Sequence, residues 1–251
     1  MLEILLKKFG TYNNTCAIND LRNRCVTFLR DEKYIPLLKD VKDDIWIIAH
    51  TNMEKMIREL QEAWCPNVNV HYTDYPEFEF TLYHNRIHQN KRQRNPCIGN
   101  NCKIHPTVIM DVDGMKAVNT PTGEKIHFIH TGHVLIGDNV NIGPYTVIHR
   151  GTLGMTSISS GCQIGSLNNI GHNCRIGINN VLAAGVILNG GIYTGSNCWF
   201  GSGSIVKHYT TLYDNVVIGH GAVVTKDIDK SGIYVGNPAR FLKPIEEGWN
   251  F

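Results

Sequence analysis

Several signatures are missing from this 251-residue chain, and each absence removes a class of function. No apolar run approaches the length needed to span a bilayer, and no signal peptide opens the chain, so neither a membrane span nor export is expected. No Cys-x-x-Cys pair occurs among the eight cysteines, which removes the usual spacing of zinc-ribbon and dithiol redox sites. A reducing, cytoplasmic setting is therefore expected. The first ninety residues hold no Gly-rich phosphate loop, so a Rossmann-type nucleotide site finds no support. Charge of one sign is also lacking: 24 basic against 22 acidic residues leave a net charge of +2, too small to argue for a nucleic-acid surface. The one basic cluster, Lys91 to Arg94, reads as a solvated linker in preference to a phosphate-binding patch.

What is present is a six-residue rhythm. An apolar residue or Thr stands at Ile158, Ile164, Ile170, Ile176, Leu182, Leu188, Thr194, Phe200, Val206, Leu212, Ile218 and Val224, in eleven equal steps. Neither the helical period nor simple strand alternation yields a strict six, whereas a solenoid coil of eighteen residues, with three short strands and three turns, does. The expected fold is a parallel β-helix. The residue four places after an anchor is small or slender, as at Cys162, Asn168, Cys174, Val186, Cys198, Ser204, Thr210, Val216 and Ala222, which suits the corners of a triangular prism. Cys102 falls at the same position, so packing accounts for four of the cysteines. Glycine often follows the anchor, as at Gly165, Gly171 and Gly177, as expected where the chain turns tightly. The rhythm also marks Ile98, Ile104, Ile136, Ile142 and Ile148. Four extra residues bulge out around Gly151 to Gly154, and from Met110 to about Lys125 the rhythm disappears into a polar loop.

The first ninety residues lack hexads. Residues 25–29 and 44–50 read as strands, 30–41 and 52–64 as helices, 68–72 as a short strand and 77–94 as a helix leading into the coils. The expected organisation is an α/β domain over 1–95, a β-helix over 96–230 with a protruding loop at 110–128, and a tail over 231–251.

Polar residues at the coil turns are the candidates for chemistry. His172 lies two residues after its anchor Ile170, and the eighteen-residue coil places Gly190, His208 and Lys226 in the same file. One coil is about one strand spacing, roughly 4.8 Å, so His172 and His208 are on the order of 10 Å apart and cannot share a metal ion within one chain. The γ-class carbonic anhydrases share this architecture and draw zinc ligands from neighbouring subunits. Here the position where their third ligand would be expected is Tyr213, so no metal site is assigned. A solvated turn histidine is the bland alternative for His172.

The run from Asp113 to Gly177, with its DG-containing loop, the HRG segment at His149–Gly151 and the His172–Asn173 pair, resembles the central region of the UDP-3-O-acylglucosamine N-acyltransferases of lipid A synthesis. The segment VTFLRDEKY is similar to that family's uridine-binding segment, in which two aromatics flank the base and an Asn contacts its edge. Phe28 and Tyr34 match the aromatics, and Asp31 stands where Asn is usual. A carboxylate accepts but cannot donate, so the base contact differs. The resemblance implies a left-handed β-helix of hexapeptide repeats. Two departures accompany it. That family has more coils ahead of the loop and ends in helices associated with an acyl carrier protein, whereas this C-terminus resembles the closing segment of sugar acetyltransferases that use acyl-CoA. The second histidine used by the lipid A enzymes aligns with Tyr209, not His208.

The combination implies an N-acyltransferase that moves an acetyl or short hydroxyacyl group from acyl-CoA to the amine of a UDP- or dTDP-linked deoxyamino sugar. In it His172 is the expected general base. Asn173 or Asn168 is expected to orient the ring or a sugar hydroxyl, and the Gly190 backbone N–H to meet the oxyanion. Phe28, Asp31 and Tyr34 are the nucleotide-binding candidates. Lys226, Gly236, Asn237, Pro238, Ala239 and Arg240 are the acyl-CoA candidates, with solenoid termination the equal alternative for the turn at 236–239. Acyl-CoA is expected as a co-substrate, with no permanently bound cofactor, and a homotrimer suits the flat prism faces. A lipid A-type enzyme using acyl carrier protein, a sugar O-acetyltransferase, and a binding scaffold remain as alternatives.

Overall fold

The computed structural model describes every residue except 10, 11, 13, 19, 20, 22, 23, 40, 43, 64–67, 90–94 and 247–251. The basic run Lys91 to Arg94 therefore lies outside the described residues. Two compact units emerge: residues 1–92 with 115–129, and residues 93–114 with 130–251.

The second unit is a left-handed parallel β-helix, made of three sheets in which each short strand pairs with the strand one coil away. The register is the eighteen-residue offset: Gln163 faces Val181 and Ile164 faces Leu182, and Asn169 and Ile170 face Ile187 and Leu188. All twelve anchors from Ile158 to Val224 are buried, none more than 3% exposed. Stacked on like residues of adjacent coils, they form one continuous apolar column. The one polar anchor, Thr194, is satisfied: its hydroxyl accepts from Gly177 N at 3.1 Å and lies 2.8 Å from the Asn180 carboxamide.

The cysteines at the inner corners behave as packing groups. Burial pushes the thiols of Cys162 and Cys198 up to about 11 and that of Cys174 up to about 12, so none is a nucleophile near neutral pH.

The corners differ from expectation in one respect. The left-handed conformation falls three residues after the anchor, not one, and it recurs at every hexad from Gly161 to Gly221. Glycine or Asn fills most of these positions, as the absent or locally bonded side chain allows. Glycine directly after the anchor answers a different constraint, the approach of the next coil. A Cβ on Gly177 would lie 2.3 Å from the Gly195 carbonyl oxygen. Leu167 (φ 60°) and Tyr209 (φ 58°) occupy left-handed corners with bulky side chains.

The first unit has a three-stranded parallel sheet, β1 (Val26–Leu29), β2 (Ile45–His50) and β3 (Val68–Thr73), in the order β1-β2-β3. Around it are α1 (Leu2–Phe9), α2 (Glu54–Ala63) and α3 (Pro76–His88). The segment expected as a helix at 30–41 is a 3-10 turn over Glu32–Leu38, because Pro36 cannot donate to an α-helical ladder. Two features escaped the sequence: α1, and a Cys16–Cys25 disulfide with Cα atoms 6.2 Å apart. Parallel pairing of Thr15 with Val26 brings the two cysteines together, and neither is among the four that packing accounts for.

The polar excursion is also more ordered than a loop. Ile109–Val112 stays in the coil beside Val147–His149, and Ala117–Asn119 pairs antiparallel with Lys125–His127. This hairpin belongs to the α/β unit. The Asn85 carboxamide donates to His127 O (2.7 Å) and accepts from Ile129 N (2.9 Å), and Lys116 pairs with Glu77 at 3.1 Å.

The solenoid's last coil ends differently from the rest. Gly232–Val235 adds one parallel strand, and Arg240–Lys243 then folds back on it antiparallel, with Phe241 against Tyr234 at 5.6 Å. Among the described residues no helix is long and apolar enough to cross a membrane.

Leu167 is 63% exposed, so little burial offsets its strained corner. Leu167→Asn is expected to raise stability by about 0.5–1 kcal/mol in urea unfolding, and the reverse change at the equivalent Asn179 to lower it by about 1 kcal/mol.

Candidate functional site

His172 is placed by its coil. Ile170 drops into the core, Gly171 N bonds to Leu188 O one coil away at 2.7 Å, and the half-buried imidazole leaves the turn sideways. The following residue, Asn173, takes the left-handed corner (φ 62°). This turns its carboxamide back toward the ring and the bulge. Asn173 Oδ1 lies 3.0 Å from the Thr152 backbone nitrogen and 2.9 Å from His172 Nδ1. A backbone N–H can only donate, so the atom it meets is the carboxamide oxygen, and His172 Nδ1 must then be the protonated nitrogen. The basic lone pair of the neutral imidazole is thereby assigned to Nε2. The four extra residues around Gly151 to Gly154 supply that backbone donor, so the bulge selects the tautomer through Asn173.

Gly190, one coil on, lies directly against the ring. A Cβ there would come within 2.7 Å of both Cε1 and Nε2 of His172. The glycine leaves the space into which the basic nitrogen projects. Asn168 is not part of this arrangement, which corrects the expectation that it orients the ring. It is 1% exposed inside the prism, donating to Gly165 O at 2.8 Å and accepting from Val186 N at 2.7 Å. As an inward corner residue four places after its anchor, it satisfies backbone groups of its own and the next coil.

Near His172 stand residues of the resembling segments to which the sequence assigned no role. Arg150, from the HRG segment, is 2% exposed. It donates to the Asp111 carbonyl, and pairs with Asp111 Oδ2 at 3.2 Å and Asp113 Oδ1 at 3.3 Å. Burial raises the Asp111 carboxyl above its usual range, with the Arg150 guanidinium opposing. Asp113 Oδ2 accepts from His130 N at 3.2 Å, and its carbonyl is 3.1 Å from His149 Nδ1. The signal available in the sequence was positional: Asp113, Gly114 and His130 flank the stretch where the hexads stop.

The other candidates are dispersed. His208 and Lys226 are exposed on later coils of the same file, with His208 edge-on to Tyr209 at 5.4 Å. Gly236 O accepts from Val223 N and Ala239 N donates to Val223 O, so the 236–239 turn caps the strand Val223–Val224. Arg240 is exposed. In the α/β unit, Phe28 lies 4.8 Å from Phe80, with the Lys116 ammonium 5.8 Å from its ring. Tyr34 packs at the edge of that unit's core. Asp31 caps the 3-10 turn, accepting from Lys33 N at 3.1 Å, and that bond, with the Lys33 ammonium, holds its carboxyl below the usual range. Among the described residues no group of three or more His, Cys, Asp or Glu is arranged to hold a metal ion.

The chain is 37% identical over 139 residues to the UDP-3-O-acylglucosamine N-acyltransferase of Herminiimonas arsenicoxydans, a match covering 55% of this chain and 39% of the relative. This chain resembles the UDP-3-O-acylglucosamine N-acyltransferases. The enzyme of that name from Wolinella succinogenes is 34% identical over 145 residues, covering 58% of this chain and 46% of the relative. The chain thus matches less than half the length of these curated relatives. Among solved structures, the UDP-N-acetylglucosamine O-acyltransferase of Moraxella catarrhalis superposes with a TM-score of 0.55 at 26% identity, over 62% of this chain and 58% of that one. No family model matches.

The assignment of Nε2 has a direct consequence. Asn173→Ala removes the oxygen that selects Nδ1–H, and the nitrogen-15 spectrum of His172 is expected to lose the Nδ1–H signature and show mixed tautomers. An unchanged spectrum would rule out Asn173 as the selector.

Proposed function

We propose that this protein is a nucleotide-sugar N-acyltransferase that moves an acetyl or short hydroxyacyl group from a thioester to the amino group of a UDP- or dTDP-linked deoxyamino sugar. The observation that carries the proposal is the His172 imidazole, held with its proton on Nδ1 and its lone pair on Nε2 beside Gly190. The names of the curated relatives support the reaction class.

In this mechanism the amine nitrogen attacks the thioester carbonyl while Nε2 accepts the proton it sheds. Asn173 Oδ1 stabilises the imidazolium through Nδ1–H. The tetrahedral intermediate collapses with cleavage of the C–S bond, and the imidazolium returns the proton to the departing thiolate, leaving amide, free thiol and neutral His172. The Gly190 backbone N–H would meet the oxyanion, since no side chain stands there to obstruct it and the neighbouring N–H groups of Asn189 and Gly191 already donate to Val206 O and His172 O.

Acyl-CoA is the donor we favour, on the strength of the C-terminal segment, with Lys226 and Arg240 as exposed cations for its phosphates and residues 236–239 near its adenine end. Phe28, Asp31 and Tyr34 would hold the pyrimidine nucleotide. A homotrimer is supported by an outer sheet face carrying Ile109, Val147, Ile187, Ile205 and Val223, interrupted by the exposed Asn169, where Ile109 is 53% and Ile187 38% exposed. That face ends at the turn of His172. A second reading, acylation of a UDP-3-O-acylglucosamine from acyl carrier protein, is favoured by the relatives' names.

The test is release of thiol from acetyl-CoA, short hydroxyacyl-CoAs and acyl carrier protein thioesters in the presence of UDP- and dTDP-linked 3- and 4-amino sugars and UDP-3-O-acylglucosamine. His172→Ala is expected to lower turnover by about 10²- to 10⁴-fold with nucleotide affinity nearly unchanged. Near-normal turnover in that variant would exclude His172 as the base, and release only from the carrier protein would select the second reading.

A further inference from the structure

A second imidazole stands against the first. His130 is 3% exposed, and its ring centroid lies 5.5 Å from that of His172 with the planes at 84°. It is the point at which the chain re-enters the coils after the excursion, as Gly114 is the point at which the chain leaves them.

The geometry fixes its protonation as firmly as that of His172, and in the opposite sense. Gly114 N donates to His130 Nδ1 at 3.1 Å, so Nδ1 carries the lone pair and the neutral ring holds its proton on Nε2. The backbone of His130 is held in turn. Its N–H donates to Asp113, whose other oxygen lies 3.3 Å from Nε of the buried Arg150, an ion pair without hydrogen-bond geometry.

Gly114 is the spacer between the rings. A Cβ on it would lie 3.0 Å from His172 Cδ2 and 3.1 Å from His130 Cε1. A hydrogen bond from His172 Nδ1 to Asn173 fixes one atom of the ring but leaves the ring free to tilt about that contact. A rigid neighbour packed edge-to-face supplies the second constraint and fixes the plane, and with it the direction of Nε2.

We infer that His130 is a positioning residue for His172, acting through the edge-to-face contact across Gly114 and held for that task by the Arg150–Asp113 pair. The inference rests on the proposed function for its consequence in turnover, but not for its structural content, and the two are tested separately.

The first measurement needs no substrate. Protein labelled with carbon-13 and nitrogen-15 histidine gives the His172 resonances, assigned by their loss in His172→Ala. In His130→Ala and in Gly114→Ala the His172 signals are expected to shift and broaden, reporting a ring no longer held in one plane. The second measurement is thiol release. His130→Ala is expected to lower kcat by about 10- to 100-fold with KM nearly unchanged, as a misplacement of about 1 Å does, and His130→Gln, which keeps an acceptor for Gly114 N–H but not the ring, is expected to leave most of that loss in place.

Unaltered His172 signals in both the His130→Ala and Gly114→Ala proteins would overturn the inference, as would equal kcat for wild type and a folded His130→Ala. If His130→Ala does not fold, Gly114→Ala alone decides by the same readings. Shifted His172 signals with no transfer by the wild-type protein to any nucleotide amino sugar would support the positioning role and reject the transferase proposal.

Discussion

Each coil of the solenoid is held at one strand spacing from the next by backbone hydrogen bonds such as Gly171 N to Leu188 O and Gly165 N to Leu182 O, and nearly everything else follows from that spacing. A side chain's neighbours are those eighteen residues away in sequence. An inward side chain must therefore stack on its own kind, which is why the anchors form an apolar column and why the inner corners accept only slender groups. An outward residue on a turn inherits as neighbour whatever the next coil offers. For His172 that is Gly190, and the absence of a side chain there gives the imidazole its space. The scaffold thus decides what surrounds the imidazole before any local interaction does.

Departures from the rhythm do the remaining work. Inserting four residues after Ile148 brings Thr152 against Asn173. Expelling the chain after Asp113 and recovering it at His130 places two acidic residues, a glycine and a second imidazole beside the same turn. Arg150 holds this junction through a buried ionic cluster. Such a cluster is an uncertain source of stability, since desolvation of its members offsets their attraction, but it is strongly destabilised by loss of one partner. Its value here is geometric: it holds the two ends of the excursion in register with the coils.

The regular part of the molecule was legible because a strict period leaves little freedom. Every anchor from Ile158 to Val224 could be read directly, and the file containing His172 followed by counting. The strands at 26–29, 45–50 and 68–73 were visible from their β-branched and aromatic content. Where an interaction links positions that no period relates, the sequence was silent. The Cys16–Cys25 bond depends on pairing of Thr15 with Val26, and the Arg150–Asp113–His130 connection spans segments on both sides of the excursion. Asn168 was misplaced for a related reason. Near His172 in sequence, it points into the prism because its hexad position is an inward corner. The left-handed corners carry a signal in the recurrence of Gly and Asn three residues after the anchor, two positions beyond the glycines from which the tight turn is expected.

The fold-back of Arg240–Lys243 has a bearing on solubility. A parallel stack ends in a row of unpaired N–H and C=O groups with the same direction and spacing as the stack itself, so a further coil, from this chain or another, would fit. An antiparallel strand of surface residues, Arg240 and Lys243 among them, reverses that direction on one of the three sheets and places charge along its rim. On that sheet the stack offers no parallel continuation to its own kind, and an interior with the repeating logic of a fibre stops there short of becoming one.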